Sequence, residues 1–335
     1  MHVLITGGAG FIGSHLVERH LAQGDTVHVV DDLSTGTRAA VTLYEGKPGY
    51  RFTQADLLTW DGLESAVAAA DRVYHMAAVV GMFRVLNQPI EVTRVNVLGC
   101  ELVLQALVKA GARAQLIIPS SSSVYAHAHP DNLREEADIV LSTRNPLVNY
   151  ATSKLTNEIQ GRAYAQQHKL PVVMVRLFNA IGPRQSGMYG FVVPRFIQQA
   201  LAAEPITVFG DGSQTRSFCD VRDTVAILDT LAGTSAAYGQ VVNVGNDQEI
   251  PIRALAEMIK RQSGSASTLN FVPFAKAYGQ DFEQIPQRRP ILTHLFELTG
   301  YKHRWALQQT VDDLIGFYRR VNKDALHSRQ LPRET

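Results

Sequence analysis

Val3-Leu4-Ile5-Thr6-Gly7-Gly8-Ala9-Gly10-Phe11-Ile12-Gly13-Ser14-His15-Leu16 is a short apolar run that breaks into glycines and restarts as an amphipathic helix. It reads as strand, tight turn and helix N-terminus. Gly7, Gly10 and Gly13 have the spacing of a dinucleotide-binding loop: one glycine makes the turn, one lets backbone approach a pyrophosphate, and one lets the helix pack on the strand. The helix start offers unpaired N–H groups and a positive dipole end to phosphates. A glycine-rich turn alone is weak evidence, but the next apolar run, Thr26-Val27-His28-Val29-Val30, ends in Asp31-Asp32. A carboxylate there accepts hydrogen bonds from an adenosine ribose.

The chain has 335 residues, enough for a sizeable core, in one large domain or two closely joined ones. Its composition, 45% hydrophobic and 19% charged, is that of a globular protein, and a net charge of +1 gives no general case for nucleic acid or an anionic membrane as partner. Met1 leads directly into the first strand, and no apolar stretch approaches the roughly 20 residues that span a bilayer. The expectation is a cytoplasmic protein. Cys100 and Cys219 cannot build a disulfide framework and lack metal-ligand spacing, so no metal site is expected and both read as small core residues.

Strand and helix patterns alternate through the first half. Leu33 to Gly49 is a loop with one helical turn, Tyr50-Arg51-Phe52-Thr53-Gln54 a strand delivering Asp56-Leu57 to its end, and Gly62 to Ala70 a helix. Asp71 to Met76 is a strand running into the small residues Ala77-Ala78. Pro89 to Ala110 is a long helix, followed by the strand Ala114 to Ile118. The alternation predicts an α/β fold with a Rossmann-type, doubly wound parallel sheet. That fifth strand empties into Ser120-Ser121-Ser122-Ser123-Val124-Tyr125. A serine run is often mere loop, but this one lies outside the carboxyl end of a strand, where ligands of open α/β sheets sit.

Tyr150 and Lys154 follow, four residues apart on one helical face. Such pairs recur by chance on surfaces; what raises this one is chemistry. A nearby ammonium favours phenolate and lowers a tyrosine pKa from about 10 toward the working range, and a serine hydroxyl beside it can share the substrate proton. Beyond Pro171 to Leu177, a sixth strand, the character changes. Gly187 to Gly190 reads as a flexible link, Phe191 to Ala203 as a helix, Ile206 to Phe209 as a short strand, and Gly210 to Arg216 as a turn carrying a cation. Thr224 to Leu231 and Pro251 to Arg261 look helical and Gln240 to Val244 extended. Phe271 to Arg289 is irregular, Pro290 to Thr299 and Leu307 to Val321 are closing helices, and Asn322 to Thr335 is a frayed tail. Paired arginines such as Arg288-Arg289 are usually solvated surface, yet they can also clamp a diphosphate.

Jointly, these residues resemble the extended short-chain dehydrogenase/reductase family, in its nucleotide-sugar epimerase, dehydratase and decarboxylase branch. The matching pieces are Thr6 to Gly13, Asp56-Leu57, His75-Met76-Ala77-Ala78, Asn96-Val97-Leu98-Gly99, the serine run, Tyr150 with Lys154, Arg176-Leu177-Phe178-Asn179, Gly182-Pro183-Arg184-Gln185 and Gly210 to Arg216. The resemblance implies NAD, with Asp31 and Asp32 holding the adenosine ribose and disfavouring a 2′-phosphate. It implies cofactor contacts from Gly7, Gly10, Phe11, Ile12, Gly13, Leu33, Ser34, Thr35, Gly36, Asp56, Leu57, Met76, Ala77, Ala78, Val80, Asn96, Ser120 and Phe178, together with Tyr150 and Lys154. Ser121 matches the catalytic Ser/Thr, with Ser122 beside it, Tyr150 the base, and Lys154 the residue that binds the nicotinamide ribose. The UDP-sugar would meet Ser121, Ser123, Asn179, Val193, Thr207, Val208, Phe209, Arg216 and Arg288.

The implied organisation is a NAD-binding domain of residues 1–178 with 217–247, a nucleotide-sugar domain of 179–216 with 248–322, and a flexible tail of 323–335. The helices carrying Leu98 to Val108 and Tyr150 to Ala165 resemble those that pair relatives into homodimers. The implied chemistry is oxidation of the sugar C4 hydroxyl to a ketone, and a 4-epimerase is the first expectation. Its substrate would be UDP-glucose, UDP-N-acetylglucosamine or UDP-glucuronate. Dehydratases of the branch carry Asp-Glu, and decarboxylases usually Glu, where this chain has Ser122-Ser123 and Ser123. A UDP-glucuronate decarboxylase or other lyase is the alternative. A non-catalytic NAD sensor on the same fold has no physical need of the Ser121, Tyr150 and Lys154 set.

Overall fold

In a computed structural model, which describes residues 1–126, 133–145, 147–185, 191–278 and 287–330, seven strands form one parallel sheet. The first six are β1 (His2–Thr6), β2 (Thr26–Asp31), β3 (Tyr50–Gln54), β4 (Arg72–His75), β5 (Gln115–Ser121) and β6 (Val172–Leu177), and Val241–Val244 is the seventh. The order is Val241–Val244, β6, β5, β4, β1, β2, β3, the reversal of direction at β1 being that of a doubly wound sheet. Val3 lies opposite Val27 on one side and Arg72 on the other, and Ser121 opposite Leu177. Strands buried on both faces need continuous apolar runs, and β6 is Val172-Val173-Met174-Val175-Arg176-Leu177. One face packs Leu16, Val225, Leu228 and Leu231 against the sheet; the other packs Val103, Leu104 and Leu107.

A smaller unit has its own core of Phe196, Ile197, Val208, Leu255, Ile259 and Leu314. There Ile206–Phe209 pairs in parallel with Leu269–Val272, and Thr215–Ser217 pairs antiparallel with Glu249–Pro251. Helices Val192–Leu201, Ile252–Ser263 and Leu307–Gln330 cover it. The closing helix continues past the expected frayed end at Asn322, because helix-forming residues run on and the first proline comes at Pro332. The helix expected from Pro290 begins at Thr293, and the stretch expected to be irregular from Phe271 contains a short helix, Phe274–Tyr278. The expected link Gly187 to Gly190 lies outside the described residues. Cys100 and Cys219 are buried, and burial pushes both thiols up to about 12. Among the described residues no helix is long and apolar enough to cross a membrane.

Candidate active site

A cavity of about 1120 Å³ opens over the carboxyl ends of the strands. That exceeds the volume usual for one small ligand, up to roughly 1,000 Å³. At one end the turn after β1 is forced on glycine. Gly7 has φ 71°, and a Cβ on it would lie 2.5 Å from the Ala77 nitrogen. A Cβ on Gly13 would lie 2.3 Å from the Gly7 carbonyl oxygen. The helix Phe11–Ala22 therefore starts tight against the turn, with Gly10 as N-cap and no side-chain cap. Its first N–H groups face the cavity that Gly10, Phe11, Ile12 and Gly13 line, a cradle that fits a pyrophosphate.

Asp31 is buried, and both its oxygens are used: Ala9 N–H donates to one at 2.9 Å and Leu33 N–H to the other at 2.8 Å. Its first task is to hold the glycine loop, while its remaining lone pairs face the cavity that it lines with Asp32. Burial raises its pKa. Ser34, Thr35, Asp56 and Leu57 complete that end.

The helix Val148–His168 places Tyr150 and Lys154 at the middle of the cavity. Burial raises the Tyr150 pKa, and the nearby Ser121 hydroxyl acts in the opposite sense by favouring the phenolate. The buried Lys154 ammonium donates to the Pro119 carbonyl at 3.0 Å, and burial brings its pKa down to about 8. Ser121 and Ser122 lie where β5 turns into a short 3-10 segment, Ser122–Tyr125, and the Ser121 hydroxyl accepts from Ser123 N–H at 3.2 Å. Ser120 donates away from the cavity, to Glu158 at 2.5 Å.

At the far end Asn179, Val193, Phe209, Arg216 and Arg288 line the wall. Asn179 donates to the Ser217 carbonyl at 3.0 Å, which ties β6 to the smaller unit. Burial and the neighbouring Arg216 push the Arg288 guanidinium down to about 10. Two cations held this close fit a diphosphate.

The fold gathers Ser121, Ser122, Ser123, Tyr150 and Lys154 with Met76, Ala77, Ala78, Val80, Ser120 and Phe178 around one cavity. Five expected residues do not line it. Asn96 is buried and binds the Val79 N–H and carbonyl at 2.8 and 3.2 Å, so it shapes the loop after β4 from behind. Leu33 contributes its N–H to Asp31, and Gly36 leaves room for the same carboxylate, 2.8 Å from where a Cβ would stand. Thr207 bonds Gln199, and Val208 is fully buried core. Arg84, Arg144 and Arg184 also line the cavity. Arg184 donates to Ser14 at 3.1 Å and to Glu18 at 2.6 Å, fastening the 182–185 turn to the first helix. For Arg84 the available signal was one cation inside the otherwise uncharged run Met82-Phe83-Arg84-Val85-Leu86-Asn87.

Residues 3–245 match the model of the NAD dependent epimerase/dehydratase family. The chain is 33% identical over 330 residues to UDP-N-acetyl-alpha-D-glucosaminuronate decarboxylase of Bacillus cytotoxicus, covering 96% of this chain and 98% of that one. It is 32% identical to UDP-glucuronic acid decarboxylase 1 of Xenopus tropicalis, covering 99% of this chain and 75% of that one. Among solved structures it resembles UDP-glucuronic acid 4-epimerase of Bacillus cereus in complex with UDP-4-deoxy-4-fluoro-glucuronic acid and NAD. That likeness has a TM-score of 0.84 at 25% identity and covers 96% of this chain and 100% of that one.

Proposed function

The chain belongs to the NAD-dependent epimerase/dehydratase family, and on that premise we propose that it oxidises C4 of a UDP-hexuronate and releases the sugar as a UDP-pentose after loss of CO2. The observation that carries the oxidation is the meeting of Tyr150, Ser121 and Lys154 on the wall of one cavity that also holds the glycine cradle and Arg216 with Arg288. The two decarboxylases named above, alike over nearly the whole chain, support the uronate and its decarboxylation.

The glycine cradle with Asp31 and Asp32 would hold NAD, which would supply the hydride acceptor for oxidation at C4 and the hydride donor for the later reduction. Tyr150 removes the C4 hydroxyl proton, with Ser121 relaying it and holding the oxygen. Lys154, whose ammonium donates to the Pro119 carbonyl of β5, would hold the nicotinamide ribose. The C4 ketone makes the C5 carboxylate part of a β-keto acid. The C5–C6 bond then breaks with its electron pair passing into the carbonyl, CO2 leaves, and C5 takes a proton. Tyr150 gives its proton back to the C4 oxygen when the ketone is reduced.

One observation favours a second reading, 4-epimerisation with the carboxylate retained. Ser123 stands where decarboxylases usually carry Glu, and among the described residues the carboxylates that line the cavity are Asp31, Asp32, Asp56 and Glu91. Three of these belong to the glycine-loop end, and Glu91 is paired with Arg94 at 3.3 Å. We infer also that the chain acts as a homodimer through Leu98 and Ile159, large apolar side chains 50% and 62% exposed on the two long helices.

Proton NMR of the NAD-loaded protein with UDP-glucuronate tests these readings. A UDP-pentose formed irreversibly supports decarboxylation. A C4 epimer reached from both sides makes the second reading the function, and an unchanged spectrum with turnover of UDP-glucose instead overturns the uronate.

A further inference from the structure

We propose that Arg84 and Ser123 form a subsite for the C5 carboxylate of the sugar, an inference that rests on the UDP-hexuronate reading above. Arg84 lies on the short helix Met82–Asn87, which begins after Gly81 at φ 99°. Its Nε donates to Gln88 at 3.1 Å, which fixes the plane of the guanidinium. Its Nη1 is buried and has no partner among the described residues, although Arg84 lines the cavity. The next residue, Val85, packs in one apolar cluster with Tyr150, so this helix stands beside the reacting tyrosine.

The Ser123 hydroxyl is likewise buried and without a partner, and it lines the same cavity two residues beyond Ser121. The same cavity is also lined by the apolar Val79, Val80 and Leu147. A buried cationic N–H and a buried hydroxyl left unmade are both costly, and a ligand that satisfies the two removes both costs. A carboxylate does so, because it accepts from both and neutralises the guanidinium; a hexose hydroxymethyl group leaves the charge uncompensated. Whichever product is formed, the carboxylate must first be held, and Arg84 offers it a buried, unpartnered cationic N–H on the helix that packs beside Tyr150. Arg84 is thus a specificity-determining residue.

The test is calorimetric binding of UDP, UDP-glucose and UDP-glucuronate to the NAD-loaded Tyr150→Phe protein, which keeps the ligands unreacted, with and without Arg84→Gln. Without the second change UDP-glucuronate should bind tighter than UDP-glucose. With Arg84→Gln that preference should fall by about 10- to 100-fold, the size of a lost charge-assisted hydrogen bond, while UDP itself binds as before and so reports an intact fold. Arg84→Lys should restore part of the preference. Ser123→Ala, which removes no charge, should lower it by about 3- to 10-fold and serves as the test should Arg84→Gln lose UDP binding. A preference that survives both Arg84→Gln and Ser123→Ala overturns the subsite and leaves the uronate reading standing. Equal binding of the two sugars by the Arg84-containing protein overturns the uronate reading and the subsite with it.

Discussion

Arg176 and Glu158 form a bidentate ion pair behind the serine run, Nη2 to Oε2 at 2.8 Å and Nε to Oε1 at 2.9 Å, both side chains buried. Glu158 also takes the Ser120 hydroxyl, and Arg176 reaches the Tyr125 hydroxyl at 2.8 Å, which in turn donates to Asn243. The pair joins the end of β5, the helix bearing Tyr150 and β6. Arg176→Met should cost about 3–5 kcal/mol, since it strands a buried carboxylate, and adding Glu158→Met should recover part of that. Urea midpoints of the two single variants and the double variant measure it.

Tyr150→Phe should lower turnover of the preferred UDP-sugar by roughly 10²- to 10⁴-fold, the usual worth of a positioned acid–base group, and leave NAD affinity within about threefold. Ser121→Ala should lower it less, because Tyr150 keeps its place. Nicotinamide absorbance in a single turnover and titration with NAD give the two quantities.

Gly13→Ala places a methyl 2.3 Å from the Gly7 carbonyl oxygen, which is backbone and cannot swing aside. The glycine loop must open, so we expect a stability loss of about 1–3 kcal/mol and NAD affinity reduced at least tenfold. Gly111→Ala, at a positive φ of 58° but with no atom near the added methyl, serves as the control and should cost stability without touching NAD affinity.

His15 is held down to about 4 by burial and by Arg184, and His75 to about 3 by burial and by Lys154. Both stay neutral in the fold over a range where the unfolded chain binds protons, from 6.5 downward. The stability this gives is whole above pH 6.5 and is lost as the pH falls toward 4. At about 1.36 kcal/mol per pKa unit, the two groups account for several kcal/mol. Denaturant unfolding at neutral pH and at about pH 5 should show the loss, and His15→Gln should flatten it.

Leu98→Asp with Ile159→Asp should turn a homodimer into a monomer in light scattering without loss of the helical signal, because both side chains already lie outside the core. A monomer before substitution would dispose of the dimer proposal.

Much of this protein is local and therefore legible in its sequence. Apolar runs four to seven residues long between helical patterns set the parallel sheet, since a strand buried on both faces has few alternatives. The spacing of Gly7, Gly10 and Gly13 set the cradle, because a turn that tight excludes a Cβ at Gly7 and Gly13. Four residues between Tyr150 and Lys154 set them on one helical face.

What the side chains on that face reach was decided by tertiary structure. Lys154 meets a carbonyl 35 residues away, and burial raises the Tyr150 pKa. Asp31 looked like a ribose ligand alone until Ala9 came to lie against it, 22 residues earlier in the chain. Asn96 had the signature of a cofactor contact, yet its amide is spent on Val79, and Tyr125 finds Asn243 across 118 residues. Hydrogen-bond partners of buried polar groups are fixed by which strand ends and loops converge, and that convergence is a property of the packed sheet. The same packing left the Arg84 Nη1 and the Ser123 hydroxyl buried without partners among the described residues on the wall of one cavity, which no spacing along the sequence could settle.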